Sequence, residues 1–198
     1  MDEESSKRFS LFRTAPNLLT LLRICIAPFL VLAILHGKYP LAFALFVAAG
    51  LTDALDGALA RILKQRSALG QYLDPVADKI LLSTLFLVLM YQRLIPASVT
   101  VLVFSRDVGI LLVSAILFAA AGRREFKPSM FGKANTLVQI AAIAAVLLHE
   151  ITAARWVAEL RIGALDATIM LTIASGLHYA WTAARRTGTA GSGGRAVR

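Results

Sequence analysis

Asp53, Asp56, Asp74 and Asp78 fall within 26 residues of one another, in and beside the most apolar segments of the chain. An aspartate near the centre of a membrane helix costs about 2.5–3.5 kcal/mol, and one that is kept there is usually functional. Clustered carboxylates also repel each other unless a cation neutralises them. Hard oxygen ligands with no cysteine or histidine beside them suit Mg²⁺ or Mn²⁺ rather than Zn²⁺. Asp53, Asp56, Gly57 and Ala60 are spaced three, one and three residues apart. At about 100° per residue they share one helix face, within about 80° of each other. Asp74 and Asp78 are i and i+4 on the next helix, neighbours on one face as well. Gly57 and Ala60 let a ligand approach the helix backbone, and Arg61 offers a guanidinium to a phosphate. Together these residues describe a site for a pyrophosphate, and two-metal chemistry on a phosphate diester needs such an arrangement. Taken singly, each acid has a plainer explanation as a solvated span end. Asp74, followed by Pro75, reads as the N-cap of the third span.

The elements that must carry these residues are apolar. The chain has 198 residues, 58% apolar and only 17% charged, too greasy for an ordinary soluble domain. Runs of about 20 apolar residues match the bilayer core. Six spans are predicted, at 16–37, 40–61, 76–93, 95–120, 133–150 and 163–185, with 62–69 as the turn between the second and third. The expected fold is all-α, an integral membrane domain of six transmembrane helices over 16–186. A segment over 1–15 precedes it, of which 8–15 could lie on the membrane surface as a short amphipathic helix. The Gly/Ser-rich tail over 187–198 is expected to be disordered. Lys7, Arg8 and Arg13, then Arg61, Lys64, Arg66 and Lys79, then Arg123, Arg124, Lys127 and Lys133, and finally Arg185, Arg186, Arg195 and Arg198 fall on one side. Those fifteen oppose four, Lys38, Arg93, Arg155 and Arg161. The positive-inside rule then puts both termini and the acidic cluster on the cytoplasmic side. A basic rim suits anionic lipid headgroups. No basic soluble module is present to bind nucleic acid. With no organelle address at the start, a bacterial inner membrane is the expected location. The lone cysteine, Cys25, has no intrachain partner.

The pattern Asp53-x2-Asp56-Gly57-x2-Ala60-Arg61-x8-Gly70-x3-Asp74-x3-Asp78 resembles, without a gap or mismatch, the signature of the CDP-alcohol phosphotransferases. Around it, "PNLLTLLRICIAPF" at 16–29 and "LDPVADKILL" at 73–82 look like the branch of phosphatidylglycerophosphate synthases and CMP-forming cardiolipin synthases. With "SRD" at 105–107 and "KPSMFGKANT" at 127–136, the likeness extends to about residue 140. It implies a six-helix membrane fold, usually homodimeric, that cleaves the pyrophosphate of a CDP-linked lipid. An alcohol attacks the β-phosphorus and CMP leaves. Carried over position by position, Asp53, Asp56 and Asp74 would ligate the divalent metals, two ions in all. Asp78 would join the metal site or act as the base for the attacking hydroxyl; the base is favoured, since a carboxylate at the edge of the cluster can still accept a proton. Gly57, Ala60, Arg61 and Gly70 would shape the site for the CDP group of CDP-diacylglycerol.

Two further sets bear on substrates. Asn17, Thr20 and Arg23 repeat every three residues up the first span, a stripe that serves either CDP contact or hydrogen bonding between helices. Arg106 and Asp107 sit mid-span, where they can pair with each other or with a neighbouring helix. Alternatively Arg106, with Lys133 and Asn135, grips a phosphate on the acceptor. That favours an anionic or phosphate-bearing alcohol: phosphatidylglycerol first, which would make cardiolipin, then glycerol 3-phosphate, then an inositol phosphate. Phosphatidylglycerol leads because "SRD" and "PSMFGKANT" look more like the cardiolipin branch. The other branch more often has Arg-Glu at the first site and a second lysine where this chain has Asn135. Two readings from other classes compete: a membrane prenyltransferase, and a transporter whose buried acids carry cations or protons. Neither accounts as well for both acid pairs in one short block with Gly57, Ala60 and Arg61 among them.

Overall fold

The computed structural model describes the backbone of residues 15–63, 70–121 and 130–192, and side chains within 25–52, 79–110, 112 and 132–178. Among the described residues all regular structure is helical: α1 Ala15–Leu35, α2 Tyr39–Leu63, α3 Gly70–Tyr91, α4 Ala97–Ala121, α5 Met130–His149 and α6 Arg155–Ser192. Each of the six predicted spans falls on one of these helices. Two boundaries differ in a way that matters. α3 begins at Gly70, so Asp74 is its fifth residue and no N-cap, and Pro75 lies inside the helix. The proline forfeits one backbone bond, to the carbonyl of Gln71, and the helix runs on regardless. α6 begins at Arg155 and continues to Ser192, taking in residues 187–192 that were expected in the tail. Hydropathy marks where a helix is apolar, whereas a helix ends only where a cap or breaker ends it. The surface helix expected over 8–15 falls almost wholly outside the described residues, as do 64–69 of the expected turn and 193–198 of the tail.

Short connections force neighbouring helices to alternate in direction, and side-chain contacts fix their register. Thr100 Oγ donates to the Phe86 carbonyl (3.3 Å) and Lys79 pairs with Asp107 (2.7 Å), so α3 and α4 run antiparallel. Thr172 Oγ donates to Asn135 Oδ1 (3.0 Å) across antiparallel α5 and α6. Arg106 reaches Ser175 and Arg161 reaches the Leu94 carbonyl, so α4 and α6 lie parallel. The connections 36–38, 92–96 and 150–154 therefore share one end of the bundle, called here the far end. α2 closes and α3 opens at the other.

The described core fills the far half, where Leu30, Ile34, Leu85, Phe86, Leu89, Ile143, Val146 and Leu147 are essentially sealed from solvent. Apolar side chains also point outward on every helix, among them Phe29, Leu51, Ile80, Val101, Leu137 and Met170. A surface so uniformly apolar calls for an apolar surrounding. Two described stretches, Gly132–His149 and Arg155–His178, are each long and apolar enough to cross a bilayer.

Candidate active site

α2 carries Asp53, Asp56, Gly57, Ala60 and Arg61, and α3 carries Gly70, Asp74 and Asp78. Both helices pack against α1 and against α5. At about 1.5 Å per residue, Asp56 lies about 10 Å and Asp53 about 15 Å before the end of α2 at Leu63. Counting from the start of α3 at Gly70, Asp74 lies about 6 Å and Asp78 about 12 Å in. The connection 64–69 ties those two ends together. The four acid positions thus spread over a band from about 6 to about 15 Å along their helices, counted from the connected ends of α2 and α3. The side chains of these acids, and of Gly57, Ala60, Arg61 and Gly70, lie outside those described, as do Asn17 and Thr20 in the first two turns of α1. By chemistry alone, four carboxylates with neither histidine nor cysteine among them would suit Mg²⁺ or Mn²⁺.

Beside this band the described side chains form a charged cluster. Arg106 Nη1 donates to Asp107 Oδ1 at 2.6 Å, and Lys79 Nζ donates to the same oxygen at 2.7 Å. Arg106 Nη2 donates to Ser175 Oγ at 2.7 Å. The side chains of Arg106 and Asp107 are only 6% and 8% exposed, while that of Lys79 is 33% exposed. Of the two alternatives for Arg106 and Asp107, the structure shows the internal pair. It does not use up the guanidinium, since the buried Nε has no partner. Lys79, counted from sequence among the residues near a connection, is the tenth residue of α3 and pairs across to α4.

Asn135 is fully buried on α5 and accepts the bond from Thr172, while its Nδ2 has no partner. One turn further, Gln139 is equally buried with an unpartnered Nε2. Buried Thr168, Thr172 and Ser175 line the facing stripe of α6. In this register Gly132 is level with Ser175, which sets Lys133, exposed at the start of α5, near the depth of Arg106. Arg106, Lys133 and Asn135 therefore lie at similar depth, but Asn135 is buried against α6 while Lys133, two residues earlier on α5, is exposed on a different face. The sequence reading missed Lys79, Ser175 and Gln139. Gln139 had a readable signal, a polar residue four after Asn135 in an apolar run. The partners of Lys79 and Ser175 had none, lying 28 and 69 residues away.

The described residues form an all-helical bundle with an acid pair on each of two consecutive helices. Residues 13–179 match the model of the CDP-alcohol phosphatidyltransferase family, and the chain belongs to that family. The match runs past residue 140, where the motif likeness ended, and takes in Ser175. Over 152 residues the chain is 40% identical to the human cardiolipin synthase (CMP-forming), covering 68% of this chain and 50% of that protein. It is 34% identical over 178 residues to a probable phosphatidylglycerophosphate synthase of Mycobacterium tuberculosis, covering 87% and 82%. To the CDP-diacylglycerol–glycerol-3-phosphate 3-phosphatidyltransferase of Bacillus subtilis it is 33% identical over 152 residues, covering 69% and 77%. The chain spans about half the length of the human relative.

Proposed function

We propose that this protein moves a phosphatidyl group from CDP-diacylglycerol to a glycerol-type alcohol and releases CMP. The observation that carries this reading is the eight-position acid–glycine pattern, which resembles the family's signature and lies on two consecutive helices inside the stretch that matches the family. Asp53, Asp56 and Asp74 would hold two Mg²⁺ or Mn²⁺ ions, which when bound supply Lewis-acid polarisation to the pyrophosphate oxygens. Asp78 takes the proton of the attacking hydroxyl. The hydroxyl oxygen bonds to the β-phosphorus as the bond to the CMP oxygen breaks. Arg61, with the small residues Gly57, Ala60 and Gly70, would seat the CDP group, and Asn17 and Thr20 of α1 would complete it. Arg106, Lys133 and Asn135 would hold the acceptor's phosphate. The outward apolar side chains of all six helices support six membrane crossings, in a bilayer whose lipids include the donor. The bias of basic residues supports a cytoplasmic site and cytoplasmic termini, as in a bacterial inner membrane. The homodimer rests on the family resemblance alone.

Phosphatidylglycerol is the preferred acceptor. Asn135 supplies a buried amide where a second lysine would add charge, and a less cationic seat suits a phosphodiester better than the more highly charged glycerol 3-phosphate. The higher identity to the human cardiolipin synthase agrees, whereas the longer match to the mycobacterial protein keeps glycerol 3-phosphate as the alternative. The test is to incubate purified protein with CDP-diacylglycerol, Mg²⁺ and each alcohol in turn, measuring CMP and identifying the lipid by mass spectrometry. Cardiolipin with CMP is expected. No CMP with any acceptor would defeat the assignment, and pyrophosphate released from a prenyl diphosphate would replace it with a prenyltransferase.

A further inference from the structure

We propose that Lys79 is a positioning residue for the acceptor, an inference that rests on the transfer reaction just proposed. Lys79 follows Asp78 directly on α3, and its ammonium donates to Asp107 of α4. Asp107 in turn holds Arg106, whose other arm is fixed by Ser175 of α6. A chain of three bonds, each 2.6–2.7 Å long, thus links the acid-bearing turn of α3 to the arginine assigned to the acceptor. Seven residues away on each helix, the Thr100–Phe86 bond reports the same α3–α4 register. Any slip between the two helices breaks both contacts.

Charge adds a second role. Among the described residues two cations share a single carboxylate oxygen, so Lys79, Arg106 and Asp107 together carry one positive charge. A buried excess charge is costly unless an opposite charge accompanies it. The buried Nε of Arg106, still without a partner, is a donor left for such an anion. Removing Lys79 would leave a neutral Arg106–Asp107 pair, with Lys133 the remaining cation assigned to the acceptor. Lys79 therefore fixes where Arg106 stands relative to Asp74 and Asp78, and keeps the seat attractive to a phosphate-bearing acceptor.

The test compares wild type, Lys79→Met and Lys79→Arg in CMP release, with phosphatidylglycerol and glycerol 3-phosphate as acceptors. Mg²⁺-dependent binding of CDP-diacylglycerol and thermal stability are measured alongside. In Lys79→Met, kcat/KM for the acceptor should fall about 10- to 100-fold, the worth of one charged hydrogen bond. CDP-diacylglycerol binding should stay within about twofold, and Lys79→Arg should recover most of the loss. Asp107→Asn adds positive charge to the seat yet releases Arg106, so its acceptor-selective loss would come from position alone, and adding Lys79→Met to it should cost little more, because the two act through one contact. Unchanged acceptor kinetics in Lys79→Met would overturn the proposal. So would an equal loss for both substrates that tracks thermal stability, which is what a merely structural lysine produces. A wild-type protein that releases no CMP with either acceptor would instead bring down the transfer reaction itself.

Discussion

The far end of the bundle and the end bearing the acids are built on opposite principles. At the far end, helix termini are closed by bonds that leave little open. Gln92 Nε2 donates to the carbonyls of both Ile34 and Leu35 (2.9 Å each), and Arg161 donates to that of Leu94 (2.7 Å). The described core packs beneath them. Towards the acid end, among the described residues, charges enter the interior and donors stay unmet at Arg106 Nε and Asn135 Nδ2, with Gln139 Nε2 unmet at mid-depth. At the far end only His149 Nδ1 appears in that condition. An unmet buried donor costs about 1–3 kcal/mol, so two near one end, and a third a turn deeper, are a cost that stability alone would not select. One half holds the fold and the other is left free to bind.

The most damaging substitutions should therefore separate activity from stability. Asp78→Asn should abolish CMP release while CDP-diacylglycerol binding persists, and Asp56→Asn should weaken Mg²⁺-dependent binding of that nucleotide lipid. Wild-type binding and turnover in both variants would refute these two roles. Phe86→Ala should do the reverse. It empties the largest fully buried side chain described in the far half and should cost about 3–5 kcal/mol, read as an earlier thermal transition. The folded fraction should turn over at nearly the wild-type rate. A large fall in kcat without a change in melting would show that the two halves are not independent.

That division was only partly legible in the sequence. The spacing of Asp53, Asp56, Asp74 and Asp78 carried the family, because both periods are local to a helix. The helices themselves followed from runs of apolar residues. What failed was the boundary at Asp74–Pro75, where good capping chemistry turned out to lie five residues inside α3. What could not be read was lateral: Lys79 meeting Asp107, or Arg106 meeting Ser175, depends on which helices pack side by side. Hydropathy makes every face of such a helix look alike, so it does not encode neighbours. The contact of Asn135 with Thr172 belongs to the same category.

Gln139 sharpens the comparison at smaller amplitude. Its buried Nε2 has no partner, so Gln139→Met removes a donor that contributes nothing to the folded state. Stability should be unchanged or higher by about 1 kcal/mol. If the donor serves the acceptor, KM for phosphatidylglycerol should rise in the same variant. Destabilisation by more than about 1 kcal/mol would mean that the amide is satisfied in the native protein and that this seam is structural.

The smallest effects test whether the far end is as settled as it looks. α1 and α3 end in the same motif. Lys38 N–H bonds to the Ala33 carbonyl and Gly37 N–H to that of Ile34, while Leu94 N–H bonds to the Leu89 carbonyl and Arg93 N–H to that of Met90. Both are Schellman closures, which need a left-handed residue just past the helix. Gly37 has φ 68° and Arg93 has φ 61°. The left-handed region costs a residue with a Cβ about 1–2 kcal/mol and glycine nothing. A Cβ on Gly37 would meet no atom within 4 Å, so Gly37→Ala should lose about 1 kcal/mol from backbone conformation alone. Arg93→Gly should gain less, about 0.5 kcal/mol, because the added freedom of glycine in the unfolded chain offsets part of the relief. Paired thermal melts measure both. Opposite signs would confirm that the two closures are conformationally equivalent. A loss in Arg93→Gly would mean that the arginine side chain, not its backbone, holds the turn between α3 and α4.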